Sequence, residues 1–278
     1  MRLVTVRTKD GTRAGRLRDD RIELLPFPDV GTLLEQTDWG KVVEDNRGEE
    51  LSLSDADFAP VVPKPNKIIC LGLNYKAHIE EMGRELPSHP TLFAKYAISL
   101  IGACDPIVLP PESLAVDWEV ELAFVIGARA RRVKAADAAA VVAGFTVFND
   151  VSMRDWQMRT LQFLQGKTFE RSTPVGPAIV TLDEVPGGID ADLAISCEVD
   201  GEQMQKARTS DLLFPPAVLV EYISTIMTLE PGDIIATGTP NGVGAGRNPP
   251  VFLKQGQTVR TMIEGVGELL NEVIGETV

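Results

Sequence analysis

The chain has 278 residues, 44% of them hydrophobic, and a mean hydropathy of +0.02, enough apolar material for one large domain or a large one and a small one. Its formal net charge of −13 and pI near 4.7 argue against a nucleic-acid phosphate backbone or an anionic membrane as the main partner. No apolar run reaches the ~18 residues of a membrane-spanning helix, and the opening MRLVTVRTKDGTRAGRL holds no apolar block of signal-peptide length.

Taken in chain order, RLVTVRT, TRAGRLR and RIELL read as short strands around an Asp10-Gly11 turn, and VGTLLEQTDW as a short helix. The stretch APVVPKPNK, with Pro60, Pro63 and Pro65, predicts a stiff extended connection. It divides a small N-terminal domain, residues 1–62, from a larger one, 63–278. KIICLGLNY reads as a strand and KAHIEEMGREL as a short helix broken by Gly83. VDWEVELAFVIG and FTVFND read as strands, with an Ala-rich helix AADAAAVVAG between them ending at Gly144. LAISCEVDGEQMQKA is a hairpin around Asp200-Gly201, PPAVLVEYISTIMTL a helix, IIATGTP a strand, and the C-terminus alternates again. Strands do not alternate regularly with long helices, so the expected class is a β-rich α+β fold rather than a doubly wound sheet.

Cys70, Cys104 and Cys197 are widely spaced and odd in number, which favours free thiols in a reducing compartment, by default the cytoplasm. His78 and His89 are the only histidines, too few for a His-rich metal site.

Four stretches carry candidate chemistry. In VDWEVELAFVIG a continuous strand would put Asp117, Glu119 and Glu121 on one face and Val120, Leu122, Phe124 and Ile126 on the other. Like charges this close raise one another's pKa or need a cation between them. With Asp150 at the end of GFTVFND, such oxygen ligands suit Mg²⁺ or Mn²⁺; spacing alone leaves Asp117 equivalent to the two glutamates. The plain alternative is a solvated sheet face. In NYKAHIEEM, His78 and Glu81 fall at i and i+3 on one helix face, as a base and its orienting carboxylate would. QGKTF isolates Lys167 in a neutral run, and RDWQ puts Arg154 and Gln157 on one helical turn. ATGTPNGVG lacks the Lys-Ser/Thr of a phosphate loop, and offers instead the Thr239 hydroxyl and backbone N–H groups.

Together, GLNYKAH, DWEVELAFVIG, FNDVSMRDWQ, GKTF and TGTPNGVG resemble, in order and spacing, the fumarylacetoacetate hydrolase family over about residues 63–278. The resemblance implies a mixed β-sandwich roll, usually a homodimer, with Glu119, Glu121 and Asp150 as Mg²⁺ or Mn²⁺ ligands. It implies a His78–Glu81 dyad on a lid, Lys167, Arg154 and Gln157 around a 2-oxo acid substrate, and Thr239 on its carboxylate. Asp117 then falls outside the ligand set. Where many members read Phe-x-Lys-Pro, this chain reads FAKY, with Tyr96 in the proline position; Tyr96, Phe163 and Phe169 are expected to shape the substrate pocket.

The implied reaction is hydrolysis of a C–C bond in a 2,4-dioxo acid of the acylpyruvate or fumarylpyruvate type, part of aromatic catabolism, through a cation-stabilised enolate and water activated by His78 and Glu81. Decarboxylation of an oxaloacetate-like acid, or isomerisation or hydration of a 2-oxo-alkenoate, would use the same site. A non-catalytic 2-oxo acid binding protein is the reading of another class.

Overall fold

The computed structural model describes residues 1–81 and 85–276, except the side chains of His78, Glu80 and Glu81. Fourteen strands carry the architecture: β1 (Arg2–Thr8), β2 (Gly11–Arg18), β3 (Arg21–Leu24), β4 (Glu50–Ser52), β5 (Ile68–Gly72), β6 (Thr91–Lys95), β7 (Val120–Ile126), β8 (Val142–Asn149), β9 (Thr173–Thr181), β10 (Ala194–Val199), β11 (Glu202–Arg208), β12 (Ile234–Ala236), β13 (Thr258–Ile263) and β14 (Gly267–Gly275). Ten of them run side by side in the order β4-β3-β2-β1-β9-β8-β7-β12-β5-β6 within a twelve-stranded sheet. A second sheet of five strands has the order β11-β10-β13-β14 with Ile107–Leu109 on its edge. The large sheet is mixed, since β12 and β5 are parallel while β7 is antiparallel to both β8 and β12. The β-rich fold expected from the sequence is what the chain adopts.

The helices are short: α1 (Val30–Leu34), α2 (Trp39–Asp45), α3 (Lys76–Glu81), α4 (Arg154–Gln157), α5 (Leu164–Lys167) and α6 (Pro216–Ile226). Among the described residues no helix is long and apolar enough to cross a membrane.

Strand β7 is buried along its whole length, with its two faces in different cores. Val120, Leu122, Phe124 and Ile126 join the core shared with the five-stranded sheet and α6. Ala123 and Val125 pack instead with Leu3, Leu25, Val30 and Leu33 from the N-terminal segment. This second core extends across the Pro-rich stretch, and β1 pairs with β9, so residues 1–62 and 63–276 share one sheet.

Two elements differ from expectation. The Ala-rich segment forms only a 3₁₀ turn, Ala135–Ala140, and Val142–Gly144 already belong to β8. Pairing on both sides with β7 and β9 outweighs the helix propensity of the alanines, and the β-branched Val142 suits a strand. The acid-bearing strand is also not continuous: Val116–Asp117 is a separate two-residue strand, and Trp118 and Glu119 lie between it and β7. The Trp118 indole N–H donates to Gly242 O, and the Glu119 backbone N–H donates to the Asn149 side chain rather than to a ladder partner. The shared face predicted for Asp117 is therefore lost.

Candidate active site

The antiparallel register of β7 on β8 sets Val120 against Asn149 and brings Glu119, Glu121 and Asp150 together at one end of the pair. The Asp150 backbone N–H donates to Glu119 O at 2.9 Å, which fixes their relative position. One oxygen from each of the three carboxyl groups lies within 4.8 Å of the others, and all three residues are buried. Such a set of hard oxygen donors could hold a metal ion.

Cations surround the acids. Lys167 Nζ lies 2.7 Å from both Glu119 Oε2 and Asp150 Oδ2, and Lys95 Nζ lies 2.7 Å from Asp150 Oδ1. Arg154 Nη2 is 2.6 Å from Glu119 Oε1, and its Nη1 donates to the Gln157 side chain at 2.9 Å. Gly166 makes this approach possible: α5 lies so close to α4 that a β-carbon there would sit 2.5 Å from the Gln157 backbone nitrogen.

The charge states follow from these contacts. Burial alone would lower the Lys167 pKa, but the pull of Asp150 and Glu119 raises it above its ordinary value, which favours the ammonium form in the cation-free site. Burial likewise acts against ionisation of Asp150, yet Lys167 and Lys95 hold its carboxyl below the usual range. Glu121 behaves oppositely: burial, then Asp150 and Glu119, push its pKa well up. Its Oε2 accepts the Gly238 N–H at 2.8 Å, while its Oε1 meets no partner among the described residues. A donor set with one orphaned buried oxygen fits a cation that would take it up.

Asp117 lies elsewhere. Its Oδ1 accepts the N–H groups of Trp118 and Gly244, and its Oδ2 accepts from Ala245 N and Arg154 Nε at 3.0 and 2.8 Å. It is the fastening point of Arg154 and of the loop after β12. Gly244 is needed there, since a β-carbon would stand 2.8 Å from Asp117 Oδ1 and 1.9 Å from Val251 O. Asp117→Ala is expected to cost about 2 kcal/mol of stability by chemical denaturation and to leave divalent-cation binding measurable by calorimetry. Loss of the cation with the fold intact would return Asp117 to the ligand set.

Thr239 Oγ1 donates to Val120 O at 2.9 Å and accepts from Gln205 Nε2 at 2.8 Å. His78 and Glu81 belong to α3, which follows β5, but their side chains lie outside the described residues. A cavity of about 720 Å³ opens beside the cluster, lined by Glu119, Arg154, Gln157, Lys167 and Thr239 together with Phe93, Phe163 and Arg247. Of the three aromatic residues expected to shape it, only Phe163 lines it. Tyr96 is exposed, and Phe169 packs edge-on against Trp156 with ring centres 5.4 Å apart. The turn Tyr96–Ser99 directs residue 96 outward, with Tyr96 O held by the Ser99 N–H and hydroxyl.

Lys95, Gln205 and Asn149 were not anticipated as members of the site. Lys95 had a signal, its place in FAKY, where many members of the resembled family read Phe-x-Lys-Pro. Gln205 comes from the second sheet and accepts the Val120 N–H at 3.0 Å, a long-range contact without a local pattern.

Residues 67–274 match the family profile described as fumarylacetoacetate (FAA) hydrolase C-terminal. The chain belongs to the fumarylacetoacetate hydrolase family. Among its curated relatives in that family is the protein named oxaloacetate tautomerase Fahd2a, mitochondrial, of Rattus norvegicus, 48% identical over 222 residues that cover 80% of this chain and 70% of the relative. Among solved structures, a fumarylacetoacetate hydrolase from Exiguobacterium antarcticum superposes with a TM-score of 0.88 at 32% identity, covering 99% of this chain and all of the other. A 5-carboxymethyl-2-hydroxymuconate delta-isomerase from Mycobacterium smegmatis does so with a TM-score of 0.83 at 34% identity, over 99% and 100% of the two chains. The fumarylacetoacetate hydrolase family thus includes hydrolase, isomerase and tautomerase relatives of this chain.

Proposed function

We propose that the protein is a divalent-cation-dependent enzyme that interconverts the enol and keto forms of a small 2-oxo acid of the oxaloacetate type. The observation that carries this reading is the buried ammonium of Lys167, held charged beside Glu119 and Asp150 at the cavity wall. The relatives named oxaloacetate tautomerase, nearly half identical, support it.

Glu119, Glu121 and Asp150 would hold Mg²⁺ or Mn²⁺, which when bound supplies Lewis-acid polarisation of substrate oxygens. Lys167, fixed at the cavity wall, would donate a hydrogen bond to the oxygen on which negative charge develops. Arg154, aligned by Asp117, and Gln157 orient the acid head. Thr239 lines the same wall and would have to release Val120 O to donate to a carboxylate. His78, with Glu81 as its expected partner, would take the C3 proton of the keto form and deliver it to the 2-oxo oxygen, so that one proton passes from carbon to oxygen; the reverse returns the keto acid.

Hydrolysis of the C–C bond of an acylpyruvate or fumarylpyruvate-like 2,4-dioxo acid is the second reading, favoured by the likeness to a fumarylacetoacetate hydrolase. There His78 would take its proton from water instead. Oxaloacetate decarboxylation and 2-oxo-alkenoate isomerisation would draw on the same residues without an attacking water.

Following the ultraviolet absorbance of enol-oxaloacetate and of acetylpyruvate with Mg²⁺ or Mn²⁺ separates the readings. We expect rapid ketonisation of oxaloacetate without pyruvate release, abolished by chelator. Cleavage of acetylpyruvate alone would replace tautomerisation by hydrolysis, pyruvate from oxaloacetate would indicate decarboxylation, and binding without turnover of any oxo acid would indicate a binding protein.

The proposal extends to a homodimer in the cytoplasm, with residues 1–62 as a small unit whose strands continue the main sheet. The exposed apolar side chains Leu114, Met158 and Leu161 support a partner-covered surface. The three free cysteines fit a reducing compartment.

A further inference from the structure

Arg154, Lys167 and Arg247 all line the cavity, but their surroundings differ. Carboxylates neutralise the first two at 2.6–2.8 Å. Among the described residues, no carboxylate lies within ion-pair distance of Arg247. Its Nη2 donates to Met204 O at 3.2 Å, and its Nε is buried without an acceptor. A guanidinium carries five N–H donors and retains its charge under all ordinary conditions, and in the half-buried Arg247 the terminal N–H groups, without a carboxylate at the cavity wall, are the ones a ligand could meet.

The side chain is also held in place. The loop that carries it is fastened to Asp117 through the N–H groups of Gly244 and Ala245, and its Gly242 O accepts the Trp118 indole N–H. The guanidinium carbon stands 6.0 Å from the centre of the Trp118 ring, and Trp118 is the chain neighbour of Glu119. The wall of the same cavity also includes the apolar Leu71, Phe93, Phe163 and Val243. The cavity therefore offers a charged head site, a hydrocarbon wall and a second, unneutralised cation.

We infer that Arg247 receives the distal carboxylate of a dicarboxylic 2-oxo acid, and so sets the substrate class of the site. The inference rests on the 2-oxo acid reading given under Proposed function. A carboxylate is the anion a guanidinium matches best in geometry, through paired N–H donors, and it would give Arg247 the counter-ion that it lacks among the described residues.

The test uses the full chain loaded with Mg²⁺, and two acids of equal length, 2-oxoglutarate and 2-oxopentanoate, which differ only in the distal carboxylate. By calorimetry, wild type is expected to prefer the diacid. Arg247→Met should weaken diacid binding about 10- to 100-fold, the loss of one charge-assisted hydrogen-bond pair, and leave the monoacid unchanged. Arg247→Lys should restore part of the difference. With oxaloacetate as substrate, Arg247→Met should raise KM about 10- to 100-fold, in line with the weakened diacid binding. Equal weakening of both acids in Arg247→Met, absence of a diacid preference in wild type, or binding of neither acid would overturn the inference. A diacid preference that depends on Arg247, in a protein that turns over no 2-oxo acid, would leave the inference standing and overturn the proposed reaction instead.

Discussion

Replacing Asp150 by alanine is expected to lower the stability of the fold by about 3–5 kcal/mol and to abolish divalent-cation binding. Asp150 is the only carboxylate that meets Lys95 among the described residues, and it shares Lys167 with Glu119. Both ammonium groups are almost completely buried. Removing the acid leaves Lys95 with Val151 O as its remaining acceptor, at 3.2 Å, and a buried charge without a counter-ion is among the most damaging lesions a core can carry. Urea denaturation of the cation-free protein reads the stability, and calorimetry with Mg²⁺ and Mn²⁺ reads the binding. An Asp150→Ala protein as stable as wild type would show that the lysines do not depend on this acid.

Glu121→Gln should give the opposite pattern: a cation-free stability within about 1 kcal/mol of wild type, with divalent-cation binding and turnover reduced to the level of the chelator-treated enzyme. Burial and the two neighbouring acids raise the Glu121 pKa well above its ordinary value. The neutral carboxyl is thus the form favoured without a cation, and glutamine is its near-isosteric, uncharged counterpart. The side-chain oxygen that accepts the Gly238 N–H is retained in the variant. What glutamine cannot do is become an anion, and a hard divalent cation draws much of its affinity from anionic oxygen. A Glu121→Gln protein that still bound Mg²⁺ as wild type does would remove Glu121 from the ligand set. A large loss of stability would mean that the ionised form matters to the fold as well.

The alternation in VELAFVI was legible because a strand has a period of two, and the structure uses both of its faces. The same rule failed for Asp117, since it holds only while the strand is continuous. The chain leaves the ladder at Trp118 and Glu119, for contacts with Gly242 and Asn149 that lie far away in sequence. Asp150, Arg154, Gln157 and Lys167 were legible through local motifs and the family resemblance. Lys95 was marked only by its place in FAKY, its acid partner being 55 residues away, and Gln205 not at all, since its partners are 34 to 85 residues away and nothing beside it marks a polar group turned inward. The Ala-rich segment illustrates the reverse error, local propensity read correctly and overridden by the two strands that β8 must pair with.

The imbalance between acids and bases in the cluster has a consequence for the order of events. Four carboxyl groups, Asp117, Glu119, Glu121 and Asp150, stand against the three cations Lys95, Arg154 and Lys167. Whether or not Glu121 carries its proton, the cluster has no positive charge to offer until a divalent cation joins it, and then it has one. An anionic acid entering the cavity would find one unneutralised cation, Arg247, at the wall, but no net positive charge at the acid cluster until the ion is bound. The metal would therefore act as a gatekeeper for substrate as well as a reagent, and saturation with the oxo acid should depend on prior occupancy by the ion.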